Sequence, residues 1–377
     1  MAEDMLPLLS VGPFQVTAYS LMLTLAALAG IVCTCLAGKR TGTGEKALPL
    51  ATLSVIASIV GGHLVWCFTM FPALDVDFGG YSFFLKFYAG GYTLFGAVFA
   101  VLLAAFVLSR RWQISCGSLL DTLVPGAAAA LCIGRFAEAF NGQGVGQFVE
   151  EDGLRFFPFA VCTYMDEEWS EWYVAVFVFE ALAALIMLIV ALRCLAKKQR
   201  DGRTASIFLC LLGASQIFLE QLRADDLIRF GFVRFSQLCS LAVLMVLHGM
   251  KLAKVGDTGH RVISSLRLSF AAICIVFIEF AFEKPQFYPY LIAAMIGLAL
   301  SYTVPAALTF AKKRGNVLQG LIGVLAVGLC AGMIYVLSQG FDNEWDYLFA
   351  LMALCCAIMA CEAWPGKEEK EAKACIM

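Results

Sequence analysis

Residues 173–196 read YVAVFVFEALAALIMLIVALRCLA, and Lys197 and Lys198 follow at once. A hydrocarbon core roughly 30 Å thick is crossed by about 20 apolar residues in helical form. This stretch meets that length with Glu180 and Arg193 as its charges, so it reads as a membrane span. The same reading extends outward in both directions. Further apolar runs lie at 14–37, 47–70, 85–109, 117–139, 204–222, 232–250, 268–283, 286–311, 316–338 and 346–364, about eleven spans in all. Composition agrees: 61% of the 377 residues are hydrophobic and only 15% are charged. A soluble chain carries roughly 45–50% and 25%, and the polar residues needed to cover a water-facing surface are missing. The fold class is therefore all-α, a polytopic helical membrane protein.

Net charge is −2, and the basic residues sit in short clusters rather than a stripe. No nucleic-acid partner is expected from that pattern. The fifteen cysteines fall almost entirely inside apolar runs, where they act as small hydrophobes. No C-x-x-C pair or Cys/His ligand spacing occurs, so no metal site is expected. The terminal Ala-Cys375-Ile-Met377 places Cys375 one position too late for a prenylation box. The opening MAEDMLPLL is acidic and lacks the positive start of a secretory signal.

Lys and Arg in short loops set membrane sidedness. One set of loops holds Lys39, Arg40 and Lys46; Arg110 and Arg111; Lys197, Lys198, Arg200 and Arg203; Lys251, Lys254, Arg261 and Arg267; then Lys312, Lys313 and Arg314. The tail adds Lys367, Lys370 and Lys373 within a solvated charge run. The alternate loops are poor in positive charge. Segment 140–172 carries Glu150, Glu151, Asp152, Asp166, Glu167, Glu168 and Glu171 against Arg155. The expected orientation is N-terminus outside and C-terminus in the cytoplasm. Aromatic residues near 66–88 and 156–172 fit interfacial belts. Two parts separate at the polar stretch 251–267: residues 1–252 as a seven-helix core, and residues 253–377 as four further spans with a charged cytoplasmic tail.

Ionisable groups inside a bilayer are costly and face the bundle interior. Here they are His63, Asp121, Arg135, Glu138, Glu180 and Glu220, with Arg223 just past the end of the sixth span. His63 follows Gly61-Gly62 and reads as an interhelical hydrogen bonder. The fourth span ends GRFAEAFNGQGVG (134–146). Arg135 and Glu138 stand three apart and share a helix face. Asn141, Gln143 and the glycines then form a donor-rich turn. A guanidinium beside such a turn suits a phosphate, through a bidentate fork and freed backbone amides. The plainer alternative is a structural Arg135–Glu138 pair with glycines that permit close packing. The number of costly groups in one region favours a site.

At these residues the chain resembles the prolipoprotein diacylglyceryl transferase family over about residues 8–250. Gly12-Pro13 followed by Tyr19 is similar to the family opening. GGYTLFG (90–96) stands where the family has Gly-Gly…Phe-His-Gly, and Asp121…Pro125 with GRFAEAFNGQGVG looks like its signature. Glu180 after Phe179 matches a Tyr-Glu. GASQIFLEQLRADD (213–226) and SQLCS (236–240) resemble Gly-x-x-Arg…Glu-x-x-Arg and Gly-Gln…Ser segments. The resemblance implies a bacterial inner-membrane enzyme that moves a diacylglyceryl group from phosphatidylglycerol to the lipobox cysteine of a prolipoprotein. Its partners would be phosphatidylglycerol, the prolipoprotein signal peptide and membrane lipids, with no cofactor.

By position, the resemblance casts Arg135, Glu220 and Tyr19 as catalytic. It assigns Asn141, Gly146, Glu138, Gln143, Glu180 and Gln216 to substrate binding. Four positions depart from the family pattern. Phe95 replaces the catalytic His, Gln216 an Arg, Glu138 an Asn, and Gln143 a Glu. The preferred reading is a divergent transferase, because the phosphate-type turn has no plain structural need; the alternative is a non-catalytic relative that binds phospholipid or a membrane partner. A transporter is disfavoured because no matching pair of broken helices occurs.

Overall fold

The computed structural model describes residues 9–11, 14–71, 81–87, 90–166, 169–197, 200–224, 228–230, 233–255, 257–310, 317–339 and 344–365. Gly12-Pro13, Asp225-Asp226, the Lys312–Arg314 cluster and the tail with Cys375 lie outside them. Among the described residues are eleven helices long and apolar enough to cross a membrane. They are α1 (Ala18–Thr41), α2 (Ala47–Thr69), α3 (Leu94–Trp112), α4 (Cys116–Ala137), α5 (Val176–Ala196), α6 (Arg203–Leu222), α7 (Phe235–Leu252), α8 (Thr258–Glu283), α9 (Tyr288–Phe310), α10 (Val317–Gln339) and α11 (Glu344–Ala363). Three antiparallel two-stranded ribbons accompany them: β1 (Leu9–Val11) with β2 (Phe14–Val16), β3 (Ala160–Asp166) with β4 (Trp169–Val174), and β5 (Arg229–Phe230) with β6 (Val233–Arg234).

Two helix starts differ most from the hydropathy reading. α3 begins at Leu94, not near 85, because Gly90 and Gly91 take φ of 89° and 77°. Those values lie in the left-handed region that glycine enters freely. Gly91 also lies flat on the Trp66 indole, where a Cβ would come within 2.6 Å of the ring. Apolar content cannot register such a break. α8 begins at Thr258, ten residues ahead of its apolar run, since Asp257 caps it by accepting the Gly259 amide at 2.9 Å. The charges of that stretch therefore ride on a helix.

The chain divides into two compact units, Met1–Phe208 with Leu219–Ile228, and Leu209–Phe218 with Arg229–Met377. In the first unit α1 lies along α4, α2 along α3, and α4 against α5. Small residues permit the approach. Gly30 and Thr34 on α1 face Gly126 and Ala130 on α4, and a Cβ on Gly126 would collide with Thr34 and the Gly30 carbonyl. Gly61 and Gly96 serve the α2–α3 crossing in the same way. Close backbone packing of this kind replaces the hydrophobic drive that lipid removes. The outward faces are apolar: Leu21, Leu25, Leu28, Val32 and Leu36 stand exposed along α1.

In the second unit α8 packs against α9 and α11, and α10 against both of those. Arg267 on α8 stacks 4.4 Å over the Tyr302 ring and lies 3.4 Å from Glu362. Glu362 also accepts from the Ser264 hydroxyl. Lys251 and His248 reach the Glu362 carbonyl at 2.7 and 3.1 Å. Charge at the end of α11 is thus answered by two cations and by donors that meet its last turn.

Candidate functional site

The polar centre of the first unit is assembled at helix ends. Thr17 and Ser20 form a reciprocal cap on α1: Thr17 donates its amide to Ser20 Oγ at 3.0 Å, and Ser20 donates its amide to Thr17 Oγ1 at 3.2 Å. This cap fixes Tyr19 in the first turn. α4 runs in the opposite sense and ends with Arg135, followed by a 3-10 turn over Glu138–Asn141. Glu180 sits in the first turns of α5, and Arg223 closes α6. Alternating chain direction therefore brings Tyr19, Arg135, Glu180 and Arg223 to one end of the unit. Lys39, Arg40, Arg110 and Arg111 terminate helices at the other end.

Four of these groups form a closed ring of charge. Arg135 Nη1 donates to Glu138 Oε1 at 2.6 Å and lies 3.4 Å from Glu180 Oε2. Arg223 Nη2 lies 2.9 Å from Glu138 Oε2, and its Nη1 is 2.8 Å from Glu180 Oε2. Each guanidinium thus meets both carboxylates. The Glu180 and Arg223 side chains are 1% and 6% exposed, while Arg135 and Glu138 keep 12% and 14%. The Arg135–Glu138 edge is the open side. Glu180 Oε1 is buried and receives no hydrogen bond among the described residues. Glu220 is also buried, and its charge acts on Glu180. Tyr19 lies within electrostatic reach of both Glu138 and Arg135.

The glycine-rich segment after α4 holds this ring together. Gly144 has φ +73°, and a Cβ there would stand 2.7 Å from Glu138 Oε2. Gly146 pairs with Arg223 as an antiparallel bridge and donates to the Val174 carbonyl at 2.7 Å. Ala224 donates to the Val145 carbonyl at 3.0 Å. A Cβ on Gly146 would come within 2.6 Å of the Leu222 carbonyl. So these glycines bring the loop against the end of α6 and fix where Arg223 projects.

The remaining candidates are placed as follows. Gln143 is exposed and Asn141 half-buried on the turn beside the ring. Gln216 is buried on α6 within the second unit. Phe95 is buried in the first turn of α3, its ring 6.0 Å from that of Phe99. Asp121 lies away from the ring, where it accepts the Gly202 and Ala205 amides at 2.8 Å each and caps α6 from α4. His63 is fully buried between the Gly91 and Phe83 carbonyls, at 3.0 and 3.1 Å. Arg223 is the residue the candidate set omits. Its signal is the Glu220-x-x-Arg223 spacing at the end of an apolar run.

The chain is similar to curated phosphatidylglycerol–prolipoprotein diacylglyceryl transferases. The protein of Clostridium kluyveri is 26% identical over 232 residues, covering 61% of this chain and 89% of that protein. That of Synechococcus elongatus is 26% identical over 249 residues, covering 63% and 83%. That of Rickettsia felis is 29% identical over 199 residues, covering 52% and 74%. The family description "Prolipoprotein diacylglyceryl transferase" matches residues 7–253, more than half of the chain and the whole span of the charge ring. On that match, this multi-pass membrane protein belongs to the prolipoprotein diacylglyceryl transferase family.

Proposed function

We propose that the chain binds a phospholipid headgroup at the Arg135–Glu138 edge, from the outer side of a bacterial cytoplasmic membrane, without transferring its diacylglyceryl group. The observation that supports this most is Phe95. Transfer to a thiol needs a group that helps remove the thiol proton and groups that stabilise the departing glycerol phosphate. Phenylalanine takes no proton, and at this position it is buried with its ring toward Phe99. Gln216 offers hydrogen bonds but no charge to a phosphate. What persists is a pair of guanidiniums held by facing carboxylates at the ends of three helices. Such a cluster is costly to keep for structure alone. The Lys/Arg asymmetry supports a location at the outer surface.

The second reading is the family reaction itself, with phosphatidylglycerol as donor and a prolipoprotein signal peptide as acceptor. It is favoured by Tyr19, on which the charges of Glu138 and Arg135 act, and by the buried Glu220, whose charge acts on Glu180. In that case Arg135, Glu220 and Tyr19 act on the reacting groups. Asn141, Gly146, Glu180 and Gln143 would shape the headgroup pocket.

Complementation of a transferase-depleted strain separates the two. The expected result is no complementation by the wild-type chain, with phospholipid binding by purified protein that is lost in Arg135→Lys. Lysine keeps the charge and loses the fork. Complementation that disappears in Arg135→Lys would establish the transferase instead. Undiminished lipid binding in the Arg135→Gln/Glu138→Gln double variant would remove the anion-binding role altogether.

A further inference from the structure

We propose that the ring selects a zwitterionic phospholipid headgroup, a phosphodiester bearing an ammonium, over an anionic one. The inference rests on the lipid-binding reading above and adds the class of lipid.

The ring holds two guanidiniums and two carboxylates, so it is neutral before any ligand arrives. Both oxygens of Glu138 are engaged, Oε1 with Arg135 at 2.6 Å and Oε2 with Arg223 at 2.9 Å. Arg135 gives its Nη1 to that same carboxylate on the open edge. A phosphodiester that takes this nitrogen displaces Glu138 Oε1. The displaced carboxylate is still 14% exposed and confined to a low-dielectric site. Removing one partner of a buried ion pair is strongly unfavourable because the remaining charge is uncompensated.

The two headgroup classes differ at this step. An anionic headgroup with hydroxyls brings a third negative charge to two positive ones. Its hydroxyls donate hydrogen bonds but offset no charge. A zwitterionic headgroup exchanges partners one for one: phosphate oxygens meet Arg135, and the ammonium meets Glu138. An ammonium carries three donors, and a second acceptor lies behind Glu138. Glu180 Oε1 is buried, receives no hydrogen bond among the described residues, and belongs to the carboxylate that faces Arg135 at 3.4 Å. The arrangement thus supplies a fork for phosphate and two carboxylates for an amine.

The test titrates the purified full-length chain with short-chain phosphatidylethanolamine, phosphatidylglycerol and N-acetylated phosphatidylethanolamine, with binding read by calorimetry. Phosphatidylethanolamine should bind at least about tenfold more tightly than the other two, a difference of roughly 1.4 kcal/mol. Acetylation removes the ammonium and keeps the phosphate, so this comparison needs no variant to fold. Soluble glycerophosphoethanolamine should bind more weakly than the lipid; equal binding would make a water-soluble headgroup the ligand and overturn the lipid assignment. In Glu138→Gln the preference should reverse toward phosphatidylglycerol, and in Glu138→Asp it should persist. Phosphatidylglycerol binding as tight as phosphatidylethanolamine would overturn the selectivity and leave the lipid-binding reading standing. Binding of none of them would overturn both.

Discussion

Arg223 shows how one side chain ties the site together. It touches Glu138 and Glu180 from the end of a third helix, and its own backbone is held by Gly146. Replacing it with Gln would leave two carboxylates, one of them almost fully buried, with Arg135 alone between them. Loss of one partner in a buried ion pair costs roughly 3–5 kcal/mol. Arg223→Gln should therefore lower the melting temperature of the purified protein sharply. Arg223→Gln/Glu180→Gln should recover most of that loss, since both the cation and the deepest anion are then gone. A double variant no more stable than the single one would mean that Arg223 acts through packing rather than charge. Arg135 and Glu138 are legible as partners from their spacing alone, because residues three apart on a helix share a face. Arg223 is not, because its partners lie on other helices.

At the level of elements, the site depends on helix ends more than on helix middles. Thr17 and Ser20 fix the start of α1, and the glycines after α4 fix the end of α6. Asp121 links α4 to α6 by capping two backbone amides. This accounts for a buried carboxylate that counted among the costly groups of the fourth span yet lies away from the ring. Leaving two such donors unsatisfied costs roughly 1–3 kcal/mol each. Asp121→Ala should destabilise the protein by that order in a thermal melt. Gln143→Ala, an exposed change on the turn, should stay within about 0.5 kcal/mol. Equal effects from the two would deny Asp121 its capping role. The β3–β4 hairpin is an element that hydropathy does not reveal. Its strands, seven and six residues long, are far shorter than a span, and its order comes from cross-strand backbone hydrogen bonds.

For the whole molecule, helix number and membrane residence follow from local sums of side-chain hydrophobicity. Orientation follows from the placement of Lys and Arg. The expectation is that 140–172 faces outward and 251–267 faces the cytoplasm. Cysteines introduced at Gly153 and His260, both exposed positions, allow the check in a chain freed of other reactive thiols. An impermeant reagent added to intact cells should label the Gly153→Cys chain and spare the His260→Cys chain. The opposite pattern would reverse the orientation and move the charge ring to the cytoplasmic side.

Read alone, the chain determines its eleven spans, its family resemblance over the first two thirds, and the set of residues too polar to face lipid. Each of these is a property of a short window or of an ordered motif, and needs no knowledge of which helices touch. Tertiary structure alone decides which polar residues meet. Asp121 and Glu180 are alike in sequence, each an acid among apolar neighbours. One caps a neighbouring helix through backbone amides; the other is shared by two guanidiniums. The difference lies in what the neighbouring helix presents at that height. That is set by the small-residue crossings of α1 with α4 and by the glycines that bring Arg223 to the ring.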